Sequence, residues 1–129
     1  MRKLIFVCLI LLMMLPFASA SIFSDAIHIA RIRLGEWGLI SSGNPMDSYV
    51  YVYNENAENP VTDGKVSVRV MDADVYDSSG GMTIRHDTGR SESFVTDLDD
   101  AAKGEHVVKV TFTAADGVRK TKYRFVDIE

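Results

Sequence analysis

The feature that most constrains the fold is a two-residue alternation of hydrophobic and polar side chains beyond Ala20. In the clearest run, Val66, Val68 and Val70 would lie on one face of a strand, and Lys65, Ser67 and Arg69 on the other. Such a period indicates a β-strand with one buried and one solvated face. No run of useful length shows the 3.6-residue period of an amphipathic helix, so we expect an all-β domain.

Seven runs of this kind follow one another, at 28–34, 49–53, 65–71, 82–86, 92–96, 106–113 and 118–128. Gly, Asn, Asp and Pro separate them, and Asp116-Gly117 between the last two is a strong hairpin signal. Segment 35–47 is expected to be a long loop. Seven short strands in about 100 residues predict a seven-stranded antiparallel immunoglobulin-like sandwich. In the last strand we expect Tyr123 and Phe125 to face inward.

The first twenty residues have a different composition. Arg2 and Lys3 precede an apolar run at 4–15, Pro16 follows, and Ala18-Ser19-Ala20 supplies small residues. This layout predicts a secretory signal peptide, 1–20, before one domain, 21–129. The apolar run is shorter than the roughly 20 residues that span a bilayer, but a retained anchor helix stays open. We therefore expect a secreted, extracytoplasmic or cell-surface protein with no stable membrane span after cleavage.

Cleavage after Ala20 would change both the thiol content and the charge. Cys8, the only cysteine, would be lost, so the remaining chain would have neither a disulfide nor a thiol nucleophile. Loss of Arg2 and Lys3 leaves 12 basic against 18 acidic residues, a net charge of −6. An acidic domain argues against a nucleic-acid partner.

Three segments carry a resemblance to a known family: 63–70, 104–110 and 116–118. Together they resemble the core of immunoglobulin-like modules in prokaryotic surface proteins, such as fibronectin type III-like modules and the cell-adhesion-related domain of bacteria and archaea. The resemblance implies an immunoglobulin-like sandwich with a role in adhesion, envelope structure or protein binding. Its motifs report a fold and name no ligand.

Carboxylates are concentrated in the predicted loops after the first, third and fifth strands, which would share one end of the sandwich. Oxygen donors in such numbers suit Ca²⁺. The candidate calcium ligands are Asp72, Asp74, Asp77, Asp97, Asp99 and Asp100. The alternative is a set of solvated turn residues, since Asp favours turns for local reasons. Apart from this calcium hypothesis, we expect no cofactor.

Basic residues are expected on the outward face of the third, sixth and seventh strands, which share a sheet in this type of sandwich. They are Lys65, Arg69, Lys109, Lys120, Lys122 and Arg124. Such a face suits an acidic protein, a polyanionic glycan or a lipid headgroup surface. The alternative is that these side chains only solvate the sheet and discourage edge pairing.

The sequence contains none of the common catalytic motifs. The sequence has no Gly-x-Ser-x-Gly elbow and no phosphate-cradling glycine pattern, and its three histidines are widely spaced. We expect each histidine to be an ordinary strand residue and the protein not to be an enzyme.

Two functions remain open. The first is a non-catalytic surface module with a protein or cell-surface glycan partner, for which self-association through the segment 21–27 is a further option. The second is a soluble module that binds calcium or a glycan, or inhibits a protease. Segment 59–64 resembles the Asn-Pro-Thr-Thr-Gly loop of small immunoglobulin-like inhibitors of cysteine proteases, with Asp63 interrupting the match.

Overall fold

A computed structural model describes residues 25–73, 75–98 and 101–129. In these residues the chain forms nine strands and one short 3₁₀ turn, Ala115–Gly117. The strands are β1 Ile27–Leu34, β2 Leu39–Ile40, β3 Met46–Asn54, β4 Val61–Val70, β5 Val75–Ser78, β6 Met82–Ile84, β7 Thr88–Thr96, β8 Gly104–Thr113 and β9 Arg119–Ile128. The protein is therefore all-β, as the alternation predicted.

The strands form two sheets. One has three strands in the order β1-β3-β7, and the other has six, in the order β2-β9-β8-β4-β5 with β6 paired to β4. Neighbouring strands are antiparallel except β2 and β9, which run parallel over two residues. The predicted third, sixth and seventh strands are β4, β8 and β9, and they share the larger sheet, as expected.

Both sheets turn alternate side chains into one hydrophobic core. Val50 and Val52 come from the smaller sheet, and Val68 and Val110 from the larger, all with no measurable exposure. Phe112 is the largest fully buried side chain. Each such side chain stabilises the fold by about 1.5–3 kcal/mol relative to an exposed one, so this shared core holds the two layers together.

Seven of the nine strands coincide with the seven predicted runs, and β2 and β5 were missed. The Asp-Gly hairpin is confirmed, because Ala114 N donates to Val118 O at 3.0 Å and β8 pairs directly with β9. Asp116 and Gly117 there adopt φ of 64° and 75°, the left-handed region that these residue types tolerate.

The prediction for the two faces of β9 is wrong. Tyr123 and Phe125 are 55% and 66% exposed, whereas Val126 and Ile128 are buried. The register pairs Lys122 with the buried Val110, and paired residues share a face. The even-numbered residues of β9 therefore lie on the core side. Because the smaller sheet has only three strands, its cover over β9 is confined to the C-terminal end of that strand.

The predicted signal peptide, 1–20, lies outside the described residues. Within the described ranges, no helix combines the length and hydrophobicity needed to cross a bilayer.

Candidate functional site

The candidate site is the solvent side of β5, β4, β8 and β9, which we call the basic outer face. The register aligns one residue from each strand in a row across this face: Tyr76 with Arg69, Arg69 with Lys109, and Lys109 with Tyr123. Neighbouring strands lie about 4.8 Å apart, so the two tyrosines are separated by roughly 14 Å along the row. Two cations thus lie between two aromatic rings.

Hydroxyl groups form the next row. Ser78 pairs with Ser67, Ser67 with Thr111, and Thr111 with Thr121. Ser67, Ser78 and Thr121 are accessible, whereas Thr111 is buried. An accessible hydroxyl can donate one hydrogen bond and accept others, which suits a polyhydroxylated ligand. A third row adds two more cations, because Thr113 pairs with both Lys65 and Arg119.

The residues of these rows on β5, β4 and β8, together with Arg119 of β9, line a shallow hollow of about 360 Å³, and Thr121 and Tyr123 lie outside it. Among the described residues, its lining is Lys65, Ser67, Arg69, Tyr76, Ser78, Lys109, Thr111, Thr113 and Arg119, with no carboxylate among them. The four cations that line the hollow form a local region of positive potential in a chain with a net charge of −4, and Glu105 and Asp127 lie further along the same side of β8 and β9. The hollow is open and polar, which favours an extended anionic ligand over an enclosed small molecule.

The structure separates the six basic residues that the sequence grouped together. Lys65, Arg69 and Lys109 lie on the basic outer face. The other three do not, since Lys120, Lys122 and Arg124 pair with the buried Phe112, Val110 and Val108 and lie on the opposite side of β9.

Sequence reasoning missed Arg119, Tyr76 and Tyr123 as residues of this face. The signal for Arg119 and Tyr123 was present in the hairpin. A turn of that length pairs Thr113 with Arg119, which places the odd residues of β9 outward. Tyr76 had no such signal, because β5 itself was not predicted.

The exposure of the two tyrosines distinguishes this face from an ordinary solvated sheet. Tyr76 is 63% exposed and Tyr123 is 55% exposed. Large aromatic rings usually lose much of their surface on folding, and exposed ones beside cations are common at binding sites. Together with the cations and hydroxyls, they give the face charge, hydrogen-bonding groups and stacking surfaces.

The candidate calcium ligands are used for other contacts or lie outside the described residues. Asp77 Oδ1 accepts from Ser78 N at 2.9 Å, and Asp77 Oδ2 accepts from the Thr96 hydroxyl at 3.4 Å. Asp72 is bound to His106. Asp74, Asp99 and Asp100 lie outside the described residues. Among the described residues, which include Asp97, no three His, Cys, Asp or Glu side chains come together as a metal-binding group. The calcium hypothesis stays a prediction.

His28 and His106 lie in β1 and β8, whereas His86 lies in the turn between β6 and β7, so the expectation of a strand residue is wrong for His86. Unlike the other two, His106 is buried. Its imidazole is 7% exposed, with Nδ1 2.7 Å from Asp72 Oδ1 and Nε2 2.6 Å from the Ala102 carbonyl oxygen. The bond to Asp72, and then that to Ala102, raise the pKa of His106, and the same pair lowers the pKa of Asp72. The contacts of both ring nitrogens therefore tie β8 to the segment after β4 and to the residues before β8.

The other two histidines are exposed, and His28 Nε2 lies 3.0 Å from Glu55 Oε2. The segment that resembles a protease-inhibitor loop is not a loop over most of its length. Val61 begins β4 and is buried, and Gly64 packs against Phe112. Val61 and Gly64 thus face the core, while the other four residues of segment 59–64 are exposed, and protease inhibition stays a prediction.

No protein-family model and no curated protein matches this sequence. Among solved structures, the fold is similar to that of Spo0M, a sporulation control protein from Bacillus subtilis, with a TM-score of 0.54 and 16% identity over 81% of this chain and 49% of that one. It is also similar to the alkylpurine DNA glycosylase AlkC from Pseudomonas fluorescens, bound to DNA containing an abasic site analog, with a TM-score of 0.53 and 12% identity over 88% of this chain and 34% of that one.

The chain thus spans about half the length of the first structure and a third of the second. At these identities the likeness shows the fold alone. Neither name describes a cell-surface module, so the resemblance to surface immunoglobulin-like modules stays a prediction.

Proposed function

We propose that this protein is an exported, non-catalytic module of the cell surface that binds an acidic glycan through its basic outer face. Export is supported by the sequence of residues 1–20. An immunoglobulin-like classification is supported by two sheets over one core, with β4, β8 and β9 in the same sheet.

The observation that carries the binding proposal is the row Tyr76–Arg69–Lys109–Tyr123. Carboxylate or sulfate groups of a glycan would interact with the Arg69 guanidinium and the Lys109 ammonium. Sugar hydroxyls would exchange hydrogen bonds with the adjacent Ser and Thr row. Both tyrosine rings offer flat surfaces at the ends of the row.

A glycan fits this face better than a protein partner. Protein interfaces have a desolvated, largely apolar centre surrounded by a polar rim. On this face the order is reversed, since the centre carries Arg69, Lys109 and hydroxyls, and the aromatic rings lie at the ends.

The test compares two double variants that change the net charge equally. Lys65→Glu/Lys109→Glu alters the basic outer face, whereas Arg85→Glu/Lys103→Glu alters exposed residues that are not among its lining. The probe is a galacturonate oligomer measured by isothermal titration, with a neutral maltooligosaccharide of equal length as control. Each exposed ion pair contributes up to about 1 kcal/mol, so reversing two charges should weaken binding by roughly tenfold or more.

The control double variant should bind the galacturonate oligomer within about twofold of wild type, a change of under 0.5 kcal/mol. Equal losses in the two double variants would show that only net charge matters and would refute the proposed site. Failure of the unaltered protein to prefer galacturonate over the neutral oligomer would refute the proposed ligand class.

A further inference from the structure

The second surface of interest is the free edge of β9. On one side β9 pairs with β8 along its whole length, and on the other it pairs with β2 only at Asp127 and Ile128. From Arg119 to Val126, no described strand pairs with this second side. An unpaired strand edge presents backbone groups that another extended chain can bind.

The backbone of β9 shows which groups face that edge. Asp127 N donates to Gly38 O of the segment entering β2 at 2.7 Å, so its N–H points away from β8. Because backbone groups alternate along a strand, the N–H and C=O of Thr121, Tyr123 and Phe125 point the same way, but Gly38 already lies against the Phe125 carbonyl oxygen. The accessible part of the edge is therefore centred on Thr121 and Tyr123. Arg124 Nη1 donates to Tyr123 O at 2.9 Å, occupying an acceptor that an added strand would use. The edge is oriented for strand addition, and an added strand would replace the Arg124 bond at Tyr123 O.

On the core side of β9, the side chains beside this edge are basic. Lys120, Lys122 and Arg124 project there, and Lys122 and Arg124 are exposed. Two adjoining hollows of about 190 and 490 Å³ continue from β9 across to β1. In the part of the chain that the structure describes, their linings contain no carboxylate and share Ile32, Arg33 and Trp37. They also include Arg31, Leu34, Gly38, Tyr49, Arg124 and Phe125. Trp37, at the turn before β2, is 87% exposed.

We propose that the free edge of β9 binds an extended acidic segment of a partner protein, which adds to the larger sheet as a further strand. Side chains opposite each other in a sheet share a face, so carboxylates at every second position would lie beside Lys120, Lys122 and Arg124. The intervening residues would lie beside Tyr123 and Phe125 on the other face. Main-chain hydrogen bonds supply affinity, and this alternation supplies specificity.

Charge favours an acidic partner over a second copy of this chain. In antiparallel pairing of two β9 edges, the three cations of one strand would lie opposite the three of the other. Like charges directly opposite each other destabilise a sheet. The same cations would oppose aggregation of the free protein and would be neutralised by an alternating acidic strand.

The experiment uses two labelled heptapeptides of the same composition, with four Glu, two Val and one Thr. One alternates Glu with the other residues, and the second places the four Glu in succession. Fluorescence anisotropy with the full chain should give an affinity for the alternating peptide at least about tenfold higher, because only that peptide presents its carboxylates on one face. Equal affinities would overturn the proposal.

Two variants of β9 test the binding mode. Lys122→Glu should weaken binding of the alternating acidic peptide by about tenfold or more. The same variant should bind a peptide in which Lys replaces each Glu. Thr121→Pro removes an N–H that points to the edge and makes no bond to β8, so it should abolish peptide binding. Unchanged binding in a folded Thr121→Pro variant would contradict strand addition.

Amide hydrogen exchange on the unaltered protein tests the same point without relying on the folding of any variant. The peptide should slow exchange at the amides of Thr121 and Tyr123, and a lack of protection there would overturn the proposal. Lys65→Glu/Lys109→Glu should leave peptide binding within about twofold of wild type, because both residues lie on the other face. Loss of peptide binding in that double variant would instead assign the peptide to the basic outer face.

Discussion

Phe125 and Phe112 lie on adjacent strands but on opposite faces of the larger sheet. Phe125 is 66% exposed and Phe112 is fully buried. Replacing each with alanine removes the same atoms from two different environments. The pair therefore measures directly which face of β9 points outward, on which both proposed surfaces depend.

The expected magnitudes follow from burial. Fully burying a Phe side chain contributes about 1.5–3 kcal/mol, and Phe125 is only about one-third buried, so Phe125→Ala should cost about 0.5–1 kcal/mol. Phe112→Ala loses the whole transfer free energy and leaves a cavity, which together cost about 3–5 kcal/mol. For a domain of about 100 residues, 1 kcal/mol corresponds to roughly 4–8 °C in Tm.

The assay is urea denaturation followed by circular dichroism, with thermal melting as a second measurement. We expect Tm to fall by about 2–8 °C for Phe125→Ala and by about 12 °C or more for Phe112→Ala. A loss above about 2 kcal/mol for Phe125→Ala, or equal losses in the two variants, would refute the assignment of Phe125 to the outer face.

Three further predictions concern packing, pH and calcium. Gly64→Ala should destabilise the protein by about 1–2 kcal/mol in urea denaturation, because an added Cβ would lie 2.9 Å from the Phe112 ring. Phe112→Leu should reduce that cost in the double variant, and additive losses would contradict the contact. The Asp72–His106 pair should contribute most to the free energy of unfolding between about pH 4 and 6.5, since the His106 pKa is raised above 6.5 and the Asp72 pKa is lowered below 3.8. Its contribution is lost as pH rises through the folded His106 pKa, so the difference in urea midpoint between wild type and His106→Gln should shrink towards pH 9, whereas a constant difference would contradict a charged imidazole. A calcium site in the folded state would raise Tm in Ca²⁺ relative to EDTA, and an unchanged Tm would exclude it.

The parts of the fold that the sequence predicted well are those where alternation is unambiguous. In β4, Val66, Val68 and Val70 alternate with polar residues, and this strand lies in the predicted sheet with the predicted inner face. Neither missed strand follows this pattern. β2 is two residues long, and β5 has its polar residues on both faces, so each depends on pairing with a distant strand.

The face of β9 could not be read from its own residues, because bulky hydrophobic side chains occupy both faces. Tyr123 and Phe125 lie on one side and Val126 and Ile128 on the other. Only the register with β8, set by the short turn, decides between them. The burial of His106 was equally out of reach, since its partner Asp72 is 34 residues away in sequence.

Of the basic outer face, the sequence supplied three of the four cations, and the structure added Arg119 and both tyrosines. The remaining three predicted cations, Lys120, Lys122 and Arg124, lie on the core side of β9 beside its free edge. One predicted surface thus divides into two, because neighbouring residues of a strand point to opposite faces.

The most direct test of the proposed function is mapping the galacturonate oligomer onto the protein by NMR. We predict that it shifts the resonances of Tyr76, Lys109 and Tyr123, with smaller changes along the Ser and Thr row. The neutral oligomer should leave these resonances unchanged. Shifts confined to the three-stranded sheet, or equal shifts with both oligomers, would contradict an acidic-glycan site on the basic outer face.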